Sequence, residues 1–320
     1  MTIIRGLAVR RSAVVRPLAN DRAVMDGFSE SLHPRGQPAN AGQFASSGAT
    51  AHPAQKGGGK EIPPPTGEHE LESFIASVKA SPEYRKVESQ LEALQKQTKS
   101  GDVRRWSMEK NQDEGGEYTA ERKALHDKIV ASVLTPETVA KPGKRPQAVL
   151  LLGPPGSGKT TAGVPVAREM VGHDTRLANL NADDVKEAMP EYQGHNAAAV
   201  HEESSELVEG RIVPEGIEGR HNMMFDFTGN SAPKMMRIAE MLKDKGYDVH
   251  VVNVKVPTYV AVSRAWKRFT SSGRFVPPDY VKEVDGNPER TYTELQKNPA
   301  VKSWAEVDNG PDRSVKRGGK

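Results

Sequence analysis

The chain has 320 residues, of which 36% are hydrophobic and 5% aromatic, and this low apolar content indicates that part of it forms no core. It has no cysteine, which excludes disulfides, thiolate metal sites and thiol catalysis. The net charge is +3, but residues 1–60 hold eight Lys and Arg against three Asp and Glu, so the remainder is slightly acidic and a nucleic-acid substrate is not expected. No apolar run reaches the roughly 18 residues that a membrane-spanning helix needs, so we expect a cytoplasmic protein.

Composition sets off three segments outside the main domain. Residues 1–67 are rich in Gly, Pro, Ser, Ala and Gln and are predicted to be a disordered arm. Residues 68–112 are predicted to be two amphipathic helices and a linker, with the polar stretch Gly101–Gly116 as a loop. These helices either pack against the main domain or form a docking or regulatory element. The basic residues 311–320 are predicted to be a disordered tail.

Residues 113–310 form the predicted main domain, in which strand-like and helix-like segments alternate. A helix that starts near Tyr118 precedes a continuous apolar run, Ala148–Leu152, typical of a strand buried on both faces. Further strands are predicted at 176–181, 222–227 and 249–256, and helices at 184–189, 197–208, 233–245 and 258–270. This alternation predicts an α/β fold of P-loop NTPase or kinase type, in which helices flank a parallel sheet and functional residues follow the carboxyl ends of strands.

The segment Gly153–Thr160 fits the phosphate-loop pattern G-x-x-x-x-G-K-[ST] and lies between the apolar run and the next helix. In such a loop the glycines turn backbone N–H groups toward the β-phosphate. Lys159 would contact the β and γ oxygens, and the Thr160 hydroxyl would bind Mg²⁺. ATP and Mg²⁺ are therefore the predicted cofactors. The predicted nucleotide-binding residues are Gly153, Pro154, Pro155, Gly156, Ser157, Gly158, Lys159, Thr160 and Thr161.

Carboxylates follow two of the predicted strands. Asp184 and Glu187 have the spacing of a capping box, which leaves Asp183 without a local structural role. Asp183 is therefore predicted to be the catalytic base that accepts a proton from a substrate hydroxyl, with a structural role as the alternative. Asp226 is predicted to hold Mg²⁺ through water or to bind a substrate hydroxyl, and Thr228 is a further substrate-binding candidate.

Arginines near the end of the domain are candidates for binding the transferred phosphoryl group. Arg264 and Arg268 share a helix face, and Arg274 follows Gly273 in a stretch predicted to be a mobile loop. Arg268 and Arg274 are predicted to close over the γ-phosphate, whereas for Arg264 a site role and a solvated helix face are both open. Glu203 is predicted to line the acceptor pocket, with an ordinary helix-surface residue as the alternative.

Several motifs follow one another in a fixed order along the main domain. They are Tyr118–Arg122 with Leu125 and His126, Gly153–Thr161, Asn181–Lys186, Met189–Tyr192, His201–Ser205, Asp226–Gly229, Lys245–Tyr247, Val256–Pro257 and Gly273–Pro277. Their order resembles that of the zeta-toxin family of small-molecule kinases. The resemblance extends from about residue 118 to 310.

This resemblance implies ATP-dependent phosphorylation of the sugar 3′-hydroxyl of UDP-N-acetylglucosamine, and a small helical antitoxin as protein partner. By position, the family's base corresponds to Asp183 and its phosphate-binding lysine to Lys159. Its phosphate-contacting arginines correspond to Arg268 and Arg274, and its substrate-contacting acid and threonine to Asp226 and Thr228. Two departures, Phe227 for a small residue and Asn230 where some members have Arg, would alter the acceptor pocket.

Two other functions stay open at this stage. The chain could be a P-loop kinase with a different acceptor, such as a nucleotide, an antibiotic or NAD. Alternatively, it could be a nucleotide-binding interaction or assembly factor without kinase function, in which residues 1–112 are the active part.

Overall fold

The computed structural model describes residues 62–310 and 313–319, so nearly all of the predicted disordered arm, residues 1–61, lies outside the described residues. A single six-stranded sheet with strand order β2-β3-β1-β4-β5-β6 forms the centre of the fold. The strands are β1 Gln147–Leu152, β2 Ala178–Leu180, β3 Met223–Phe227, β4 Asp248–Lys255, β5 Val301–Asp308 and β6 Ser314–Gly319. The first five are mutually parallel, and β6 is antiparallel to β5.

Helices cover both faces of this sheet. Those in the N-terminal half are α1 Leu71–Ala80, α2 Pro82–Gln95, α3 Trp106–Asn111, α4 Ala120–Val133, α5 Val164–Val171 and α6 Ala182–Glu187. The remainder are α7 His201–Leu207, α8 Val213–Glu218, α9 Ala232–Asp244, α10 Thr258–Ser272, α11 Pro278–Glu283 and α12 Asn287–Lys297. The predicted α/β architecture is confirmed.

The apolar residues of β1 explain its central position. Ala148 to Leu152 are all fully buried. Successive side chains on a strand point to opposite faces. Val149 and Leu151 accordingly belong to a small core with Val166 of α5, whereas Leu150 and Leu152 belong to the larger core on the other face. A strand that is apolar on both faces is stable only between two covering layers, which is where the sheet places β1.

The N-terminal helices are part of this same large core. Phe74 and Val78 of α1 and Val87 of α2 are buried in it. The ring of Tyr84 packs edge-on against Phe275 with centroids 5.5 Å apart. Residues 71–95 are therefore packed against the main domain, as one of the two interpretations of the sequence expected.

The polar stretch Gly101–Gly116 was predicted to be a loop, but the structure contains helix α3 there. Asp102 starts a short 3-10 turn by accepting a hydrogen bond from the Arg104 backbone N–H at 3.0 Å. Ser107 and Met108 of α3 are buried. The prediction failed because only one short face of this helix is apolar, too little to produce a clear periodic signal.

The chain's basic end was predicted to be a frayed tail, but Ser314–Gly319 forms strand β6 on the edge of the sheet. Its side chains are mostly exposed, and Gly318 lies so close to the Trp304 ring that a Cβ there would approach it to 2.2 Å. Backbone hydrogen bonds to β5 hold this strand. Such bonds do not depend on the side chains, so the pattern of polar and apolar residues does not reveal them. Within the described ranges, no helix combines the length and apolar character needed to cross a membrane.

Candidate active site

The phosphate-loop segment forms a tight turn directly after β1. Gly156 has φ +81° and Gly158 has φ +85°, a backbone region that glycine enters without steric cost. A Cβ on Gly156 would lie 2.2 Å from the Ala261 carbonyl oxygen, and one on Gly158 would lie 2.3 Å from Asn309 Nδ2. The loop is thus enclosed by α10 and by the residue that follows β5, and these two positions accept only glycine.

Lys159 lies completely buried inside this turn. Its Nζ donates a hydrogen bond to the Gly153 carbonyl and lies 3.5 Å from Asp226 Oδ1. Burial lowers the pKa of Lys159 to about 8, against the opposing effect of the Asp226 carboxylate. Thr160, by contrast, is exposed, so its hydroxyl is accessible to a ligand from solvent. The predicted nucleotide-binding roles need phosphate oxygens within reach of the Lys159 Nζ and of the Thr160 hydroxyl.

Asn309 clamps the phosphate loop from outside. Its Nδ2 donates to the Ser157 carbonyl at 2.7 Å, and its backbone N–H donates to the Lys255 carbonyl at 2.9 Å. The Asn309 carbonyl accepts a hydrogen bond from Arg264 at 3.2 Å, which gives this exposed arginine a part in holding the clamp. Asn309 lies within the predicted domain ending, but sequence reasoning assigned it no role because its partner Ser157 is 152 positions away.

The start of α6 differs from the predicted capping box. Asn181, not Asp184, is the N-cap, and its Oδ1 accepts a hydrogen bond from the Asp183 N–H at 2.9 Å. Asp184 instead accepts from Asn179 Nδ2 at 2.5 Å. Burial, reinforced by the neighbouring Asp183, raises the pKa of Asp184 to about 7. The prediction that Asp184 caps the helix was therefore wrong. With Asn181 as the N-cap, the Asp183 side chain still takes no part in capping.

Asp183 is buried between two cations. Lys186 Nζ donates to its Oδ1 at 2.9 Å, and Arg274 lies 2.7 Å from its Oδ2. Only 4% of Asp183 is exposed, so these two cations offset the cost of burying a carboxylate. Lys186 was not singled out from the sequence, although its position three residues after Asp183 on one helix face is a usable signal.

Arg274 was predicted to lie in a mobile loop, but it is buried. Only 4% of the residue is exposed, and its second guanidinium nitrogen lies 3.6 Å from Glu187 Oε1. The following residue, Phe275, is held between the rings of Tyr84 and Phe269. The prediction was wrong because the N-terminal helices supply part of this packing, which the local sequence around Gly273 does not reveal.

Arg268 completes the group of charges. Burial lowers the pKa of Arg268 to about 10, and the nearby Arg274 adds to this effect, while Asp183 and Asp226 oppose it. We call the group of these buried side chains around the phosphate loop the Asp183 cluster. Its members are Lys159, Asp183, Lys186, Asp226, Arg268 and Arg274.

Asp226 reaches the cluster from the end of β3. It lies beside Leu151 of β1 in register, so its side chain points to the face that carries α5 and the phosphate loop. Burial raises the pKa of Asp226 to about 6. Phe227, which follows it, points the other way and stacks on Phe225 with ring centroids 5.8 Å apart. Thr228 Oγ1 lies 3.4 Å from the Tyr280 phenol oxygen.

A magnesium ion bound near the phosphate loop would have few protein ligands. Among the described residues, no group of three or more His, Cys, Asp and Glu side chains is placed to hold a metal. Asp226 Oδ1 is a hard oxygen donor, and its distance of 3.5 Å from Lys159 Nζ is long for a hydrogen bond. The exposed Thr160 hydroxyl is a second hard oxygen donor, and Mg²⁺ sites commonly combine few such protein ligands with substrate phosphates.

Glu203 is not part of the Asp183 cluster. Arg122 donates to both of its carboxylate oxygens, at 2.5 and 2.9 Å, and His126 Nε2 donates to Oε1 at 2.8 Å. Burial by itself would raise the pKa of Glu203, but these hydrogen bonds outweigh it and lower the pKa to about 2. Arg122 also pairs with Glu191 at 2.9 Å. We call Arg122, His126, Glu191 and Glu203 the Glu203 cluster. The Glu203 carboxylate has a structural role in this cluster, which corrects its predicted role in substrate binding.

Several solved structures are similar to this chain. In solved structures, a chain from the PezAT chromosomal toxin–antitoxin system of Streptococcus pneumoniae is 19% identical, with a TM-score of 0.47 over 62% of this chain and 80% of that chain. Two AvrRxo1-ORF1:AvrRxo1-ORF2 structures, one with sulphate ions and one with ATP, are each 18% identical, with a TM-score of 0.50 over 64% of this chain and 68% of theirs.

At such identities the AvrRxo1 structures establish similarity of fold alone. No curated protein matches the sequence at a significant level. The family model described as Zeta toxin, however, matches residues 130–313, which is more than half of the chain and contains the whole Asp183 cluster. The chain therefore belongs to the zeta-toxin family.

Proposed function

We propose that this chain is an ATP-dependent kinase that transfers the γ-phosphoryl group to a hydroxyl of a nucleotide sugar, with UDP-N-acetylglucosamine as the first candidate acceptor. The observation that carries the proposal is the arrangement of Asp183. This buried carboxylate lies against Arg274 and Lys186, in the same cluster as the phosphate-loop lysine. An acid in this position is a candidate base for a substrate hydroxyl, and a protein that only needed a structural nucleotide does not require such a base.

The cluster is suited to bind an anion. Burial lowers the pKa of both Lys159 and Arg268, so a nearby anion would favour the charged form of each. The β and γ phosphates of ATP would supply such an anion. Lys159 would contact their oxygens from within the turn, and Arg268 and Arg274 would bind the γ-phosphoryl group as its charge redistributes during transfer.

In the proposed reaction a hydroxyl oxygen of the acceptor forms a bond to the γ-phosphorus. The bond from this phosphorus to the bridging oxygen of ADP breaks at the same time, and the hydroxyl proton passes to a carboxylate oxygen of Asp183. Asp226 and Thr228 would hold the acceptor or the metal beside this acid. A general base in this role typically contributes about 10²- to 10⁴-fold to the rate.

Thr160 and Asp226 are the residues that would hold Mg²⁺. When bound, this ion neutralises charge on the β- and γ-phosphate oxygens. The protein side chains still have the tasks of orienting the acceptor, excluding water and taking up the proton.

A protein antitoxin is the proposed partner, as the resemblance to the family implies. The AvrRxo1-ORF1 structures likewise contain a second protein, AvrRxo1-ORF2. Asn230 departs from the family pattern beside the predicted acceptor pocket. NAD, another nucleotide or an antibiotic are therefore the alternative acceptors that the experiment has to separate.

The test is to incubate the full chain with γ-labelled ATP and Mg²⁺, first with UDP-N-acetylglucosamine, then with NAD, and then with a metabolite extract. We expect a labelled, phosphorylated small molecule, identified by mass spectrometry. Lys159→Ala should abolish the product, whereas Lys243→Ala, which removes an exposed lysine on α9, should not change it. If the wild-type chain binds ATP but labels no small molecule in any mixture, the interaction-factor alternative is correct.

A further inference from the structure

The stretch that carries Arg274 is held in the core by the residue that follows it. Phe275 is only 4% exposed, and its ring makes edge-on contacts with two other rings. The centroid of the Tyr84 ring, on α2, is 5.5 Å away, and that of the Phe269 ring, on α10, is 5.3 Å away. Because Arg274 and Phe275 share a planar peptide group, the position of this ring constrains the backbone from which the Arg274 side chain projects.

Charged pairs also join the N-terminal helices to this part of the chain. Lys79 of α1 donates a hydrogen bond to Asp279 of α11 at 2.7 Å, and Lys282 of α11 pairs with Glu72 of α1. These four side chains are exposed, and exposed ion pairs contribute little to stability. Tyr84, by contrast, is only 3% exposed, so its ring gives α2 a buried contact with the Arg274 stretch.

Arg274 needs such support because it contacts the proposed base. One guanidinium nitrogen lies 2.7 Å from Asp183 Oδ2, and another lies 3.6 Å from Glu187 Oε1. A group that acts on a reacting centre has to be held within about 0.5 Å of its productive place, and a misplacement of about 1 Å can lower a rate about 10²-fold. A change in the packing of Phe275 therefore acts on the guanidinium group that faces Asp183.

We propose that Tyr84 positions Arg274 by holding Phe275, and that α2 is thus a part of the phosphotransfer machinery. The inference rests on the proposed kinase function, in which Arg274 binds the γ-phosphoryl group. It places the support for this arginine outside residues 130–313, the segment that the family model matches. Tyr84 is a positioning residue in this scheme, because it acts on the reaction through Phe275 and Arg274.

The test compares two truncations on the same helix of the full chain. Tyr84→Ala removes the ring that contacts Phe275, and Tyr84→Phe keeps this ring. Leu91→Ala is the matched control, because Leu91 is similarly buried but lies about 10 Å further along α2. Transfer from γ-labelled ATP is measured with UDP-N-acetylglucosamine and with NAD. We expect Tyr84→Ala to lower kcat per folded molecule about 10-fold and to change the ATP KM by less than about 2-fold, whereas Tyr84→Phe and Leu91→Ala should keep both near wild type.

A double-mutant cycle with Arg274→Ala tests whether Tyr84 acts through this arginine. In an Arg274→Ala background, Tyr84→Ala should lower kcat little further, because the group that it positions is already missing. Losses that add, or an unchanged kcat in Tyr84→Ala, would overturn the inference while leaving the kinase intact.

Hydrogen exchange of the backbone N–H groups of residues 273–276 provides a measurement that needs no activity. Exchange should be faster in Tyr84→Ala than in wild type, Tyr84→Phe or Leu91→Ala, because the stretch loses one of its buried contacts. Unchanged exchange in Tyr84→Ala would mean that the stretch is held without this ring, and the inference would be wrong. If wild type phosphorylates neither probe and nothing in a metabolite extract, the proposed function itself has failed, whatever the exchange rates are.

Discussion

The Glu203 cluster and the Asp183 cluster are both groups of buried charges, but they are satisfied differently. In the Glu203 cluster, each carboxylate oxygen of Glu203 accepts at least one hydrogen bond, and the pKa of the acid falls to about 2. In the Asp183 cluster, burial moves the pKa of Lys159 down to about 8 and that of Asp226 up to about 6. Each shift disfavours the charged form of its group.

This contrast supports the proposed assignment of the Glu203 cluster to structure and of the Asp183 cluster to function. A fully paired network offsets its own desolvation, and therefore has nothing to gain from a ligand. Groups whose charged forms are undercompensated are stabilised when a ligand of opposite charge arrives, and such groups concentrate at functional sites. Within the Asp183 cluster, Lys159, Asp226 and Arg268 have pKa values shifted against their charged forms, whereas Asp183 itself is paired with Lys186 and Arg274. The cluster also lies at the carboxyl ends of parallel strands, where ligands bind in such sheets.

The largest expected effect is on catalysis. Asp183→Asn should lower the rate of phosphoryl transfer by about 10²- to 10⁴-fold, because the amide takes up no proton, while ATP affinity stays within a few-fold. Asp184→Asn, a neighbouring acid turned toward Asn179, is the matched control and should keep transfer close to that of wild type. Equal activity of Asp183→Asn and wild type would remove the base from the mechanism.

The next effect concerns stability. Glu203→Gln should lower the free energy of unfolding by roughly 3–5 kcal/mol, because Arg122 loses the charge of its closest partner. Denaturant unfolding measures this loss, and Glu218→Gln, at an exposed site on α8, should cost little. Transfer activity per folded molecule should change far less than in Asp183→Asn. If it fell as much, Glu203 would belong to the site after all.

The loss of stability in Glu203→Gln should depend on pH. The folded pKa of Glu203, about 2, is below its ordinary value of 4.5, so the folded state binds fewer protons than the unfolded chain between these values. The stabilisation is fully present above about pH 4.5 and is lost as the pH falls toward 2. The difference in unfolding free energy between wild type and Glu203→Gln should therefore shrink over this range, and a constant difference would contradict the assignment.

The smallest effect concerns the clamp on the phosphate loop. Asn309→Ala removes the hydrogen bond to the Ser157 carbonyl and should raise the KM for ATP about 3- to 10-fold, in line with the loss of one hydrogen bond. The acceptor KM should stay unchanged, because the contacts of Asn309 are with the phosphate loop, Lys255 and Arg264 and not with Asp226 or Thr228. Isothermal titration with ATP checks the affinity directly, and unchanged ATP binding would show that the loop holds its shape without the clamp.

The parts predicted correctly from the sequence depend on local patterns. The apolar run Ala148–Leu152 and the helix starting near Tyr118 are recognisable because alternation and helical spacing recur within a few residues. The phosphate loop is recognisable for the same reason, since the residues that define its pattern are eight consecutive ones. The motif order then indicated the family, which the match over residues 130–313 confirms. The catalytic roles assigned to Asp183, Arg268 and Arg274 stay predictions.

The parts that were missed or wrong depend on contacts between distant positions. Glu203 was assigned to the acceptor pocket because nothing near it in sequence reveals Arg122, which lies 81 residues earlier. Arg274 was expected to be mobile because the helices that bury its neighbour Phe275 belong to another segment. Strand β6 was missed because its pairing with β5 uses backbone groups that every residue has.

The sequence by itself determined the α/β architecture, the phosphate loop and the family, because each is encoded in short-range spacing of apolar residues, glycines and charges. Only the tertiary structure decided which buried charges are paired with which. That pairing distinguishes the Glu203 cluster from the Asp183 cluster, and the same folding brings Tyr84 beside Phe275. The physical reason is that desolvation and charge compensation depend on distances between atoms, and folding sets these distances between residues far apart in the chain.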